Sequence, residues 1–576
     1  MLALAPEDPA TASAVRSPTH LAWEGPRLVA LLLALFSLAG VALALWLAGV
    51  PAGRPDPRLW HNVFYVLFAR NEPLGLAVVA LFSLGAVLVL SPRAHLRDRS
   101  VRAHMSVPRG SVAMIAIGVF AIATAGTYLV CHNFALTADE NMADFQARIF
   151  LRGKLTAEIP PQWESAWHAF KPTFAEYLPD TNSWKSTYLP GYAAMRALFQ
   201  SVGLQVLLNP FLAAITVFAL ADVARNIWPD EKWNPLVAAA LLASSPQFLV
   251  TAMTSYSMPA HLALNTVWLS CYSRPDRRRF YCAPFIGVFA IGLHQPIVHA
   301  LFAAPFLLRL VWQRRWPTVM VYAAVYVVGC AFWFWWRVHF QAPQAIGAGS
   351  FLRLFNPRML VIQPMNLFLL IGWASLATPL LAIVALRKFS RLPPILQDAA
   401  ASCVLTFGFY YFFFSDQGHG WGYRYFHGSL ACLTLLAVPG RTALSETIGL
   451  RRANQLLVAG VLVSVLVQLP LRCMQAESFI RPFARTAALF RASDAQIVAF
   501  DARDAWYSAD LIRNDPFFAN RPLIVGAHRV TPEIVAELRK VGKIRVIDRD
   551  TLAGQGLATE RFTDFEHDPF ELGRGK

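Results

Sequence analysis

The chain has 576 residues, of which 56% are hydrophobic and only 15% charged, with a mean hydropathy of +0.43. Soluble domains carry about a quarter charged residues, so this balance excludes an ordinary soluble protein and points to a polytopic membrane protein embedded in a lipid bilayer. The formal net charge of +16 reads as basic loops facing anionic headgroups, and no nucleic-acid partner is expected.

Residues 1–26, polar and Pro-rich, read as a disordered cytoplasmic tail. Apolar stretches suited to a crossing of about 20 residues follow at 27–49, 73–91, 111–131, 203–223, 234–252, 260–273, 281–294, 296–311, 317–336, 363–386, 395–414, 425–440 and 453–471. The predicted fold is therefore an α-helical polytopic membrane protein with about 13 transmembrane helices. Its organisation reads as two leading helices with a basic loop over 27–110, a main membrane unit over 111–472, and a C-terminal domain over 473–576. In that last part "DAQIVAFDA", "RPLIVGA" and "KIRVIDRD" are short β-branched runs between helical patterns, which predicts a small α/β domain outside the membrane.

Basic residues collect in alternate short loops: Arg93, Arg97, Arg99, Arg102 and Arg109; Arg225 and Lys232; Arg274 and Arg277 to Arg279; Arg309, Arg314 and Arg315; Arg387, Lys388 and Arg391; Arg441, Arg451 and Arg452. By the positive-inside rule the N-terminus is cytoplasmic, while the long 132–202 loop and the C-terminal domain lie on the outer side. Seven cysteines are scattered without CxxC or metal-ligand spacing, so neither a disulfide framework nor a zinc site is indicated.

The central parts of the predicted spans are almost free of ionisable residues, which disfavours a transport path through the bilayer. Polar groups gather instead in four outer stretches. "ADENMADFQARIFLRGKL" places Asp139 and Glu140 before an amphipathic helix with Met142, Phe145 and Ile149 on one face, predicted to lie along the outer surface. "WKSTYLPGYAAMRALF" carries Lys185 and Tyr188, with Pro190-Gly191 opening a second such helix. "SPQFLVTAMTSYSMPAHL" brings Tyr256 and His261 to an outer turn, and His294 follows in "GLHQP". "FSDQGHGWGYRYFHGSL" is a glycine-spaced loop with Asp416, His419, Arg424 and Tyr425. Each stretch by itself is also what an interfacial aromatic belt looks like. The "DRD" at 548–550 ends a strand in an outer domain and is not read as a nucleotide-sugar metal motif.

In this order the four stretches resemble the GT-C superfamily of polyprenyl-phosphate-sugar-dependent glycosyltransferases, which includes the protein O-mannosyltransferases and the aminoarabinose transferase of lipid A. The likeness is to a bacterial branch with an "ADE…QAR.F..G.L" first loop, then "YPPG", "SP.fl..s.sy.sH" and "GhG.GpRY". Here these read Ala138-Asp139-Glu140 with Gln146-Ala147-Arg148, Tyr188-Leu189-Pro190-Gly191, Ser245-Pro246 with Tyr256 to His261, and Gly418 to Tyr425.

The resemblance implies a GT-C membrane glycosyltransferase in the inner membrane, transferring one sugar with inversion from a polyprenyl phosphate to a glycan, lipid or protein acceptor in the cell envelope. It implies Asp139 as general base with Glu140 as its motif partner. The chemistry asks for cations on the leaving phosphate; Arg424 is the best candidate because its planar fork suits bidentate contact, with Arg148 and Lys185 second. Tyr188, Tyr256, His261, His294, His419 and Tyr425 are the expected pocket residues. Some superfamily members use a divalent cation such as Mg or Mn, which Asp139 and Glu140 would hold here; no spacing demands one. The rival readings are a lipid-linked-sugar flippase and a non-catalytic assembly protein that docks through its outer domain.

Overall fold

The computed structural model describes residues 19–49, 63–90, 108, 110–340, 359–412, 417–505 and 507–558. Residues 1–18 of the predicted tail, the basic residues Arg93 to Arg109 and Asp416 lie outside these described residues. Helices α1 (Thr19–Gly49) and α2 (Val63–Val89) pack together as a hairpin, and α3 (Ser111–Leu129) follows. Helix α1 thus begins within the stretch read as tail.

The chain then builds a mixed layer of helices and strands from α4 (Ala138–Leu151), strands β1 (Ala157–Glu158), β2 (Ala175–Leu178) and β3 (Ser183–Ser186), and α5 (Gly191–Ser201). The helix bundle resumes with α6 (Leu208–Ile227), α7 (Asn234–Ala243), α8 (Pro246–Ala252) and α9 (Met258–Tyr272). Next come α10 (Ala283–Ile291), α11 (Pro296–Trp312), α12 (Trp316–Phe340), α13 (Met359–Trp373) and α14 (Ala377–Leu386). The bundle closes with α15 (Pro394–Phe412), α16 (Leu430–Ile448) and α17 (Leu450–Arg491).

Among the described residues six helices are long and apolar enough to cross a membrane, or up to eight if each of two bent pairs counts as one span. The chain is a multi-span membrane protein, but the count of thirteen is not reproduced. Helices α9, α10 and α11 hold 15, 9 and 17 residues, fewer than the 20 or so of a straight crossing. Helices α7 and α8 bend by 63° at Ser245-Pro246, and α13 and α14 by 113°. Proline disfavours helical geometry in the residue before it, which accounts for the first break. At the second, the freed Leu376 N–H donates to the Ser464 hydroxyl at 2.9 Å, because an unmatched amide inside a bilayer is costly. Ser464 opens a π-helical turn, Ser464–Gln468, within α17.

The helices run beyond the predicted spans 73–91 and 453–471, and just outside those bounds they carry charge. Glu72 of α2 and Arg472 of α17 form a buried bidentate pair, with Arg472 Nη2 2.7 Å from Glu72 Oε2 and Nη1 3.0 Å from Oε1. The Arg472 Nη2 group also donates to Gly372 O, and Trp373 Nε1 donates to Glu72 Oε1 at 2.9 Å. Arg309 and Asp398 make a second pair. These charges face one another, which is how a bundle accommodates ionisable groups without a conduction path.

Helix α17 runs through residue 473, the predicted start of the C-terminal domain, to Arg491. Beyond it β4 (Ile497–Phe500), β5 (Leu523–Gly526), α18 (Pro532–Val541) and β6 (Ile544–Ile547) form a parallel sheet of order β5-β4-β6 with a crossover helix. A second sheet, β1-β3-β2, is antiparallel and was not foreseen. The two are not separate modules. Met142, Phe145, Ile149 and Trp184 share one buried cluster with Ile497, Phe518, Leu523 and Val525. The Trp184 ring stacks on Phe518 at 5.0 Å and its Nε1 donates to Pro516 O at 2.7 Å. The apolar face of α4, expected on lipid, is therefore spent on protein: burying each such side chain is worth about 1.5–3 kcal/mol, and Trp184 offers that burial directly.

Candidate functional site

Helix α4 starts with Thr137-Ala138-Asp139-Glu140. The Thr137 hydroxyl accepts from Glu140 N–H at 3.2 Å, and Glu140 Oε2 accepts from Thr137 N–H at 3.0 Å, a reciprocal capping box. The other Glu140 oxygen accepts from Ser255 N–H at 2.8 Å. Glu140 is 1% exposed, and burial raises its carboxyl above the ordinary value against these hydrogen bonds. Both oxygens are committed to backbone amides, so Glu140 ties α4 to the 253–257 turn and offers nothing to a substrate.

One residue earlier, Asp139 points the other way. Its Oδ2 accepts from Arg424 Nη1 at 3.0 Å, and its Oδ1 accepts a short hydrogen bond from the Tyr188 hydroxyl. Burial pushes this carboxyl up, but Arg424, His294 and the Tyr188 hydroxyl outweigh it and hold it below the usual carboxylate range. Asp139 borders a narrow cleft lined also by Gln146, Ser186, Tyr188, Tyr192, Ser257 and His294, with Met142, Leu189 and Leu293 among its apolar walls.

His294 reaches this place through a close backbone approach. Gly191 N–H donates to Gly292 O at 2.8 Å and Tyr192 N–H to Leu293 O at 3.1 Å. A Cβ at position 191 would sit 2.6 Å from Gly292 O, so the proline–glycine step is a docking point for the 292–295 loop. The His294 ring stacks on Tyr188 at 3.8 Å, and burial brings it down to about 4.

Arg424 is held by the 417–424 loop. Gln417 accepts from Arg424 N–H at 2.9 Å and donates to Gly422 O at 2.7 Å. Gln247, fully buried on α8, donates to Tyr423 O at 2.7 Å. A left-handed turn at Gly422, φ +68°, keeps this backbone against Gln247. The Arg424 guanidinium lies over the rings of Tyr256 and Tyr425, at 5.4 and 5.3 Å. The Tyr256 hydroxyl donates to His419 O at 3.1 Å and accepts from Arg424 at 3.3 Å.

The structure thus gathers Asp139, Tyr188, His294, Tyr256, Arg424, Tyr425 and the His419 carbonyl. Three expected residues are elsewhere. Lys185 is buried on β3, donating to Glu176 at 3.1 Å and Ser186 O at 2.9 Å, and burial lowers its ammonium below the ordinary value. Arg148, 48% exposed, pairs with Asp515. His261 is buried on α9 with neither ring nitrogen hydrogen-bonded. Among the described residues no three His, Cys, Asp or Glu side chains are grouped to hold a metal. Asp139 is engaged by Arg424 and Tyr188, and Glu140 by backbone amides.

Sequence reasoning missed Gln247, Gln417, Asn209, Asp510 and Arg513. Asn209 donates to Thr254 O at 2.7 Å and Tyr256 O at 2.8 Å, fixing the turn that carries Tyr256. Gln417 stood in a quoted motif, but a buried amide acting on backbone leaves no spacing signal. Asp510 and Arg513 come from the C-terminal unit, more than 350 residues from their partners near α4.

No known protein family model matches the chain, and no curated protein matches its sequence. Among solved structures, the chain is similar to ArnT from Cupriavidus metallidurans bound to undecaprenyl phosphate, at 14% identity and a TM-score of 0.49, over 76% of this chain and 90% of that one. The apo state of the same protein aligns at 14% identity and a TM-score of 0.49, over 77% of this chain and 94% of that one.

Proposed function

We propose that the chain is an inverting glycosyltransferase that moves a sugar from a polyprenyl-phosphate donor to an envelope acceptor on the outer, periplasmic face of a bacterial inner membrane. In this reading the N-terminus is cytoplasmic and the mixed layer of helices and strands, with the C-terminal unit, is periplasmic. The observation that carries the reading is the Asp139–Arg424 pair, set at the end of a membrane bundle beside a cleft of neutral polar and aromatic side chains. A lipid-linked donor keeps its chain in the bilayer while its phosphate and sugar enter that layer.

Asp139 takes the proton of the acceptor hydroxyl as its oxygen attacks the anomeric carbon. The bond from that carbon to the phosphate oxygen breaks, and polyprenyl phosphate leaves with the electron pair. Arg424 stabilises the charge gathering on the phosphate. In the structure Arg424 donates to Asp139, and this keeps Asp139 a weak base. Movement of the guanidinium from Asp139 to the phosphate raises the basicity of Asp139 at the moment the donor is in place.

The test is to compare envelope glycans by mass spectrometry in cells carrying wild type, no protein, or Asp139→Asn at equal membrane abundance. The expected result is one sugar increment in wild type only. An increment with Asp139→Asn would sink the assignment. Movement of lipid-linked sugar across vesicles without a new glycosidic bond would favour the flippase.

A further inference from the structure

The C-terminal unit reaches into the site at one point. Asp510, within the turn Ser508–Leu511, accepts from Ala138 N–H through Oδ2 at 3.1 Å and from the Thr173 hydroxyl through Oδ1 at 3.4 Å. The same Oδ2 lies 3.7 Å from His419 Nε2. Three residues on, Arg513 Nη2 donates to Leu136 O at 2.8 Å while its Nε donates to Asp510 O at 2.6 Å. Its guanidinium also lies over the Phe134 ring at 4.1 Å. Two side chains of the C-terminal unit therefore grip the backbone on both sides of Thr137, the cap of α4.

We infer that Asp510 is a positioning residue for the Asp139–Arg424 pair, fastening the start of α4 and facing His419 on the loop that carries Arg424. Ala138 immediately precedes Asp139, so any drift of that N–H moves the carboxylate. The His419 carbonyl receives both Tyr256 and Arg424, so the histidine that Asp510 faces is also part of the Arg424 cradle. Asp510 therefore touches both of the elements that carry the pair. This rests on the reading of Asp139 and Arg424 given above.

A purely structural role for Asp510 inside its own unit predicts something different. The carboxylate is costly where it is: burial pushes it up to about 7. The titratable groups facing it are Arg513, Asp139 and His419, and burial holds His419 down to about 4, so it brings no compensating charge. Above about pH 7 the fold keeps a buried anion that it would be more stable without. Asp510→Asn retains an oxygen for Ala138 N–H and removes that charge.

The test uses the full chain in nanodiscs, with amide hydrogen exchange read by mass spectrometry and undecaprenyl phosphate as the binding probe. In Asp510→Ala, exchange at 138–142 is expected to speed up about tenfold, the factor for one lost hydrogen bond of typical strength. Exchange at β4 and β5 stays at the wild-type rate, and affinity for undecaprenyl phosphate falls several-fold. Asp510→Asn recovers both and melts no lower than wild type at pH 8. Loss of protection spread through β4 and β5, or unchanged exchange at 138–142, would overturn the proposal. If wild type fails to bind undecaprenyl phosphate, the donor reading falls while the exchange data still decide the positioning role.

Discussion

Glu72–Arg472 and Asp139–Arg424 are both carboxylate–arginine pairs drawn away from water, yet they are built differently. In the first, both carboxylate oxygens meet both terminal nitrogens, and Trp373 and the Gly372 carbonyl add further bonds. Its side chains are 2% and 0% exposed. In the second, one nitrogen meets one oxygen at 3.0 Å, the side chains are 13% and 12% exposed, and a cleft opens beside the carboxylate. A pair fixed from every side holds elements together. A pair joined by one bond beside a cleft has room to change partners, which is what the proposed transfer asks of Asp139 and Arg424.

The largest effect expected is on the fastening. Arg472→Met leaves Glu72 charged and alone between α2 and α17, and removing one partner of a buried pair costs about 3–5 kcal/mol. Thermal unfolding in detergent should show that loss, and the double variant Glu72→Met with Arg472→Met should recover much of it. A double variant as unstable as the single one would mean the pair is not acting as a unit.

The open pair should behave in the opposite sense. Asp139→Asn is expected to lower transfer about 10²–10⁴-fold, the range for a general base, while the protein melts close to wild type. It should also bind undecaprenyl phosphate more tightly, by about tenfold, because Arg424 no longer has a competing anion, a difference of about 1.4 kcal/mol. Equal or weaker binding, measured by titration calorimetry, would mean that Arg424 serves carboxylate and phosphate together rather than in turn.

The distinction between the two pairs was only half visible beforehand. Asp139, Tyr188, His294 and Arg424 were legible because each sits in a polar stretch at the end of an apolar one, a contrast composition can show. Glu140 was misread although Thr137-x-x-Glu140 is a capping-box pattern; the carboxylate doublet drew attention from the helix start beside it. Lys185 was misread because a lysine on an edge-like segment looks free until Glu176 is brought opposite it by the β2–β3 turn. Glu72–Arg472 and Asp510–Ala138 had no local signature at all, since both depend on chain segments hundreds of residues apart. The helix break at Ser245-Pro246 falls inside a stretch, 234–252, taken as one crossing although its proline marks the spot; the sharper bend between α13 and α14, whose freed amide is met by Ser464 on α17, has no such local mark.

Glu140 gives a smaller and sharper contrast with its neighbour. Glu140→Gln keeps the shape and one accepting oxygen, so it should fold and retain most transfer. Glu140→Ala leaves the Thr137 and Ser255 amides without partners and should cost about 1–2 kcal/mol, with activity falling only as the folded fraction falls. Activity assayed beside circular-dichroism melts decides this. A Glu140→Gln enzyme that folds as wild type but is inactive would return a chemical role to Glu140.

The smallest effect expected is on acid stability, and it reads the exchangeable pair directly. The Asp139 carboxyl lies below its ordinary value in the folded chain, because Arg424, His294 and Tyr188 outweigh its burial. The pair therefore contributes stability that is present above the unfolded-chain value near 3.8 and is lost as pH falls through the lower folded one. Glu140 runs the other way, its raised carboxyl favouring the fold in acid and raised in part by Asp139, so the useful quantity is the difference between Asp139 and Asp139→Asn measured with Glu140→Gln in both chains. That difference should shrink as pH falls below about 4, near the ordinary value of an aspartate. Saturating undecaprenyl phosphate should flatten it, because a guanidinium drawn to phosphate no longer holds Asp139 low. If the pH dependence of the difference is the same with and without the lipid, Arg424 does not leave Asp139, and the open pair is a second fastening after all.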